Sequence, residues 1–119
     1  MKTMQSFLMF FYILDQCYAH CEEDMLGAFL GAISPELWGD GLPADKAVID
    51  EWEEVSDPQT VNEQNAVKKS YDFLTHYENR YGLMFPQTKQ CLITLDHQAL
   101  VKNAVERTKG MYQKHNYRN

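Results

Sequence analysis

The stretch from Asp24 to Glu54 constrains the fold of this chain more than any other segment. It begins as a short apolar segment, passes through a turn rich in Gly, Pro and Asp, and ends in a helix start, with Trp38 and Trp52 on either side of the turn. Gly27 and Gly31 lie four residues apart, so a second helix can approach closely along that line. Because glycine adopts positive φ without steric cost, we expect two short helices joined by an irregular loop.

Apolar residues recur at three- and four-residue spacing along most of the chain, which is typical of amphipathic helices. In the fourth such segment, Tyr77 and Tyr81 belong to the stripe expected to be buried, and Gly82 is a typical helix terminator. Residues 83–95 contain Pro86 and favour helix or coil, because a single strand would have no partner. We expect about five helices, over residues 3–20, 25–33, 45–55, 60–80 and 96–114.

Polar residues mark the predicted helix starts. Thr3, Asp45 and Asp96 occupy positions where an N-cap side chain is expected. Thr60 is followed three residues later by Glu63, which is a capping-box signature. We therefore expect the fourth helix to begin at Thr60.

The first predicted helix is apolar around most of its circumference, above all between Phe7 and Leu14. Such a helix either occupies the centre of the bundle or buries its extra aromatic face against a second copy in a homodimer. The chain has 119 residues, no internal repeat and no long linker. The sequence therefore predicts an all-α fold in which residues 1–119 form a single domain around one core.

The apolar run at positions 7–14 follows Lys2 and therefore imitates a signal peptide. It is too short to span a bilayer, Asp15 follows it, and no small-residue cleavage site is present. We expect no membrane association. The three cysteines are an odd number that forms no disulfide framework, which favours a reducing compartment and a cytoplasmic location.

Charge is distributed unevenly along the chain. The net charge is −6, and residues 15–63 contain thirteen Asp and Glu against Lys46 alone. A net negative charge disfavours general binding to nucleic acid, which requires a basic surface. The acidic segment predicts either a face that docks a basic protein partner or a solvated surface that maintains solubility.

No catalytic motif is present: the chain has neither a phosphate-binding glycine loop nor a G-x-S-x-G elbow. Cys17, His20 and Cys21 lie close enough in sequence to suggest zinc ligands. The two cysteines also fall on the apolar stripe of the first helix, where cysteine behaves as a small hydrophobe. We favour the core interpretation and predict no metal and no cofactor.

Carboxylates of the acidic segment permit a second chemical interpretation, a hydrolytic pair or a Mg²⁺ site. A catalytic pair requires one acid whose pKa is raised in an apolar cleft. Nothing in the sequence distinguishes one acid from its neighbours, so an acidic face is favoured and no catalytic residue is predicted. The acids considered are Asp40, Asp45, Asp50 and Glu54.

The sequence DGLPAD at 40–45, followed by DEW at 50–52, is similar to a D-G-x-P-A-D-P-A…D-W pattern. That pattern occurs in small uncharacterised bacterial proteins, some of which resemble immunity proteins encoded beside polymorphic toxins. The preceding LGAFLGAISP resembles the same block, and the chain departs from the pattern at Lys46, where proline is expected. The resemblance implies a binding protein that neutralises a toxin by occluding its active site.

These observations favour a non-enzymatic acidic binding protein, an immunity protein for a basic toxin such as a nuclease. Its carboxylates would mimic the phosphates that a nuclease binds, and Trp38 would serve as an aromatic anchor. A homodimer through the first helix and a metal-dependent enzyme are the alternatives. The predicted contact residues are Glu36, Trp38, Asp40, Asp50, Glu51, Glu53 and Glu54.

Overall fold

A computed structural model describes residues 1–117 of the chain, and these residues form helices and loops without any strand. A single turn of 3-10 helix at Pro58–Thr60 precedes the fourth helix. The predicted all-α fold is confirmed, with six helices in the described part rather than about five. They are α1 (Thr3–Cys21), α2 (Asp24–Ile33), α3 (Ala47–Ser56), α4 (Ala66–Tyr81), α5 (Pro86–Thr94) and α6 (His97–Lys114).

Helix α1 lies at the centre of the bundle, where α6, α4, α5, α2 and α3 pack around it. Every residue from Phe7 to Leu14 is buried. The ring of Phe10 contacts Phe29 of α2, Trp52 of α3 and Phe73 of α4. This central position explains why α1 is apolar on all sides. Between Phe7 and Leu14 the helix therefore lacks the exposed aromatic face that the homodimer interpretation assumed.

The extra helix, α5, occupies the segment for which helix or coil was expected. Pro86 stands in its first turn, where the missing N–H is not needed. The buried carboxylate of Glu23 accepts hydrogen bonds from the N–H groups of Gln87 and Thr88 at 2.9 and 3.1 Å, and from the Thr88 hydroxyl at 2.8 Å. An acid from the α1–α2 junction therefore caps α5, which no local sequence pattern indicates.

The predicted start of α4 is wrong. Thr60 ends the 3-10 turn, and its hydroxyl donates to the carbonyl of Asp57 at 2.8 Å instead of capping a helix. Asn62 Oδ1 accepts from the N–H groups of Gln64 and Asn65, both at 2.9 Å. These local side-chain bonds compete with helix formation, so α4 begins only at Ala66.

The other predicted helix ends are close to those observed. Asp96 accepts from the N–H groups of Gln98 and Ala99 and caps α6. Gly82 follows α4 with φ +73°, as expected of a terminating glycine. Thr3 is the first residue of α1 rather than its cap, and its hydroxyl donates to Glu53 of α3. None of the helices within residues 1–117 is long and apolar enough to cross a membrane.

Candidate protein-binding surface

Backbone N–H groups that donate to nearby aspartate side chains hold the loop between α2 and α3. Asp40 Oδ1 accepts from the Leu42 N–H at 2.9 Å, and Asp45 Oδ1 accepts from the Ala47 N–H at 3.1 Å. Short polar side chains that bond the backbone two residues ahead are typical of tight turns. The N-cap position of α3 is occupied by Lys46, so the prediction that Asp45 caps this helix is wrong by one residue, although its side chain still accepts from the first helical N–H.

Gly41 is the point at which the C-terminal segment packs against this loop. Its φ of +72° is one that other residues rarely adopt. A Cβ atom there would lie 2.6 Å from His115 Cγ, and the Tyr117 hydroxyl donates to the Gly41 carbonyl at 2.8 Å. Both the backbone conformation and the close contact require glycine.

Replacing Gly41 with alanine is expected to lower the free energy of unfolding by about 2 kcal/mol. The backbone at this positive φ would be strained, and the new methyl group would displace the C-terminal segment. Gly31 provides the matched control, since it lies within α2 and a Cβ atom there would have no neighbour within 4 Å. Gly31→Ala is expected to raise stability by up to about 1 kcal/mol through helix propensity. Urea unfolding followed by circular dichroism measures both, and equal effects would contradict the role assigned to Gly41.

Trp52, at the end of the motif, is a core residue. Its ring stacks on Phe10 with 4.7 Å between centroids and meets Phe73 edge-on at 5.3 Å. The indole N–H donates to Ser6 Oγ at 2.8 Å. The residues that suggest the family resemblance therefore include several with structural roles in this fold.

Glu51, one of the predicted contact residues, is engaged inside the fold. Its side chain is 12% exposed and faces α4, where Oε2 lies 2.6 Å from His76 Nε2 and 3.9 Å from Arg80 Nη1. Oε1 accepts from the Tyr81 hydroxyl at 2.8 Å. Glu51 therefore joins α3 to α4 and lies apart from the acids on the outer side of α3.

Three predicted contact residues, Asp50, Glu53 and Glu54, are exposed on α3. Glu53 Oε2 accepts from the hydroxyl of Thr3 at 3.1 Å. No basic group among residues 1–117 lies within 4 Å of these three carboxylates. Their charge is therefore available to an approaching partner.

The remaining predicted residues lie on the loop that precedes α3. Trp38 is 56% exposed, and its neighbour Leu37 is 64% exposed. The Glu36 carboxylate lies 4.0 Å from Arg107, and Asp40 lies 3.8 Å from Lys46. Exposed ion pairs of this kind contribute little to stability.

The structure thus places six of the seven predicted residues at the surface, on one loop and on the helix that follows it. Sequence reasoning missed Leu37, although a leucine beside a tryptophan in a segment without helical periodicity was a usable signal. We use the name acidic face for the set Glu36, Leu37, Trp38, Asp40, Asp50, Glu53 and Glu54.

The cysteines lie where α1 meets α5. Cys17 is fully buried, and burial raises its pKa to about 12, so the thiol stays protonated at neutral pH. Cys21 Sγ lies 3.9 Å from the Thr88 hydroxyl, whereas His20 is exposed. Within residues 1–117 no group of three or more His, Cys, Asp or Glu side chains is arranged to hold a metal ion.

No protein-family model, no curated protein and no solved structure matches this chain.

Proposed function

We propose that this protein is a non-enzymatic binding protein that docks a basic protein partner on its acidic face. The observation that supports the proposal is the exposure of Leu37 and Trp38 on a loop that also bears acids. Two adjacent large apolar side chains in water gain free energy when a partner covers them. Tryptophan is also among the residues that contribute most to protein interfaces.

The charges on the following helix, α3, indicate the chemistry of the partner. Asp50, Glu53 and Glu54 have no basic group within 4 Å in the described part of the chain. Uncompensated carboxylates attract a positively charged surface and accelerate its association, an effect that salt weakens. A basic protein is therefore the partner that this face accommodates best.

The specific form of the proposal is an immunity protein that occludes a basic toxin such as a nuclease. The active site of a nuclease binds phosphates, and carboxylates spaced along a helix and loop present negative charge in a comparable way. Trp38 would then anchor the complex while the acids cover the basic cleft.

Capture from a lysate of the host organism tests the proposal. Tagged protein is used as bait at low and at moderate salt, beside a Trp38→Ala bait, and bound proteins are quantified by mass spectrometry. We expect a basic protein that is enriched on the unmodified bait, reduced on the Trp38→Ala bait and released as salt rises. Equal recovery on both baits, without any effect of salt, would contradict the proposal.

A further inference from the structure

An apolar groove runs between α2, α3 and the C-terminal end of α4, with a volume of about 440 Å³. Tyr81, predicted to be buried, is instead 47% exposed at this groove, and Met25, which also lines it, is 38% exposed. Neither Gly27 nor Gly31 lines the groove. The close helix approach predicted along these two glycines occurs only at Gly27, which packs against Tyr18 of α1. Residues that line the groove include Ala28, Phe29, Asp45, Glu51, Tyr77 and Tyr81.

The hydroxyl of Tyr77 is the polar group in this groove that lacks a partner. The residue is 8% exposed, and its hydroxyl forms no hydrogen bond with any described residue. Burial, followed by the nearby Glu51 carboxylate, raises the pKa of Tyr77 above its ordinary value, so the hydroxyl stays protonated. Its oxygen is not sealed from solvent, so a hydrogen-bond donor placed in the groove can reach it.

The charged groups of the groove are acidic. Asp45 and Glu51 line it, and no Lys or Arg does. Glu51 already contacts His76, Tyr81 and Arg80, whereas no basic group among residues 1–117 lies within 4 Å of the Asp45 carboxylate. The groove therefore combines an apolar floor, aromatic rings, a free phenol oxygen and a carboxylate without a cation.

We propose that this groove receives an arginine side chain of the partner protein, flanked by an apolar residue. The aliphatic part of arginine would pack on Phe29, and the guanidinium would reach Asp45 and the Tyr77 oxygen. Arginine fits better than lysine because its planar, weakly hydrated head group stacks on aromatic rings and donates several hydrogen bonds at once. The inference rests on the proposed function, since it names the chemistry that the same partner presents.

The probe that tests it is the capped tripeptide acetyl-Leu-Arg-Leu-amide, titrated into ¹⁵N-labelled protein and followed by NMR. The matched probe replaces arginine with citrulline, which has the same shape without the charge. We expect saturable shifts at the amides of Ala28, Asp45 and Tyr81 with the arginine peptide, and affinity about tenfold lower with citrulline. Equal affinities, or no shifts at these amides, would overturn the inference.

Three variants complete the test. Tyr77→Phe removes a hydroxyl that has no bond in the fold, and it is expected to weaken binding of the arginine peptide about tenfold. Ala28→Arg places a cation inside the groove and should abolish binding. Gly31→Arg adds the same charge to the same helix, at a position with no neighbour within 4 Å, and should leave binding unchanged. Unaltered binding by both Tyr77→Phe and Ala28→Arg would refute the proposed site.

The groove and the proposed function can fail separately. The peptide titration requires no host protein, whereas capture from the lysate requires no particular occupant of the groove. If the captured protein binds Ala28→Arg as well as it binds Gly31→Arg, the groove inference fails and the proposed function stands. If the unmodified bait captures no basic protein, the proposed function fails whatever the peptide does.

Discussion

Replacing Trp52 with alanine is expected to lower the free energy of unfolding by about 4 kcal/mol. The change empties space between Phe10 and Phe73, whose rings contact the indole at 4.7 and 5.3 Å. It also leaves the buried Ser6 hydroxyl without its donor. Loss of this magnitude is a large fraction of the stability of a small domain, and the melting temperature should fall by about 15 °C.

The other tryptophan provides the control. Trp38 is 56% exposed, so Trp38→Ala should change the free energy of unfolding by less than about 0.5 kcal/mol. Trp52→Phe retains most of the ring packing but loses the bond to Ser6, and an intermediate loss of about 1–2 kcal/mol is expected. Urea unfolding followed by circular dichroism in the far ultraviolet reports all three variants. Similar losses for Trp38→Ala and Trp52→Ala would show that the core is assigned incorrectly.

Reversing the charge of the three exposed acids on α3 is expected to weaken binding of the captured basic partner at least about 100-fold. The variant combines Asp50→Lys, Glu53→Lys and Glu54→Lys. Each reversal removes an attraction and adds a repulsion, and all three side chains are exposed without a basic partner in the described structure. Glu51 is left unchanged, because its reversal would break the contacts with His76 and Tyr81 that join α3 to α4. Isothermal titration calorimetry measures the affinity.

A second triple variant separates position from net charge. Glu63, Asp72 and Glu106 are exposed acids outside the acidic face, and their reversal to lysine changes the net charge by the same amount. This variant should bind within a few-fold of the unmodified protein, and both variants should show the same circular dichroism spectrum. If the two triple variants lose affinity equally, binding depends on overall charge and not on the face proposed.

Much of the fold was predictable because it depends on local chemistry and on the apolar pattern. The all-round apolar character of α1 follows from its central position, and Asp96 and Gly82 act at helix ends through bonds to adjacent backbone. The start of α4 was not predictable in this way, because the side chain of Asn62 outcompetes the Thr60 signature. The cap of α5 was also hidden, since Glu23 is more than sixty residues away in sequence.

The surface was predictable only in part, because some of its features follow from helical spacing and others arise from tertiary packing. Acids at positions 50, 53 and 54 follow helical spacing and lie outside the core, so their exposure follows from the sequence. Glu51 differs from them only through the side chains of α4 that face it, and those contacts arise from tertiary packing. The groove has the same origin: its walls come from α2, α3 and α4, and the free hydroxyl of Tyr77 appears only when they assemble.

Hydrogen–deuterium exchange of the protein, alone and in complex with its captured partner, locates the docking surface without any substitution. The loop between residues 34 and 46 contains no regular helix. Apart from the amides of Glu36, Gly41, Leu42 and Asp45, which donate hydrogen bonds, its amides should exchange rapidly in the free protein. We predict that the partner slows exchange in this loop, around Trp38 in particular, while the exposed side of α6 is unaffected. Slowed exchange confined to α6 or α5, with the loop unchanged, would place the partner elsewhere and contradict docking on the acidic face.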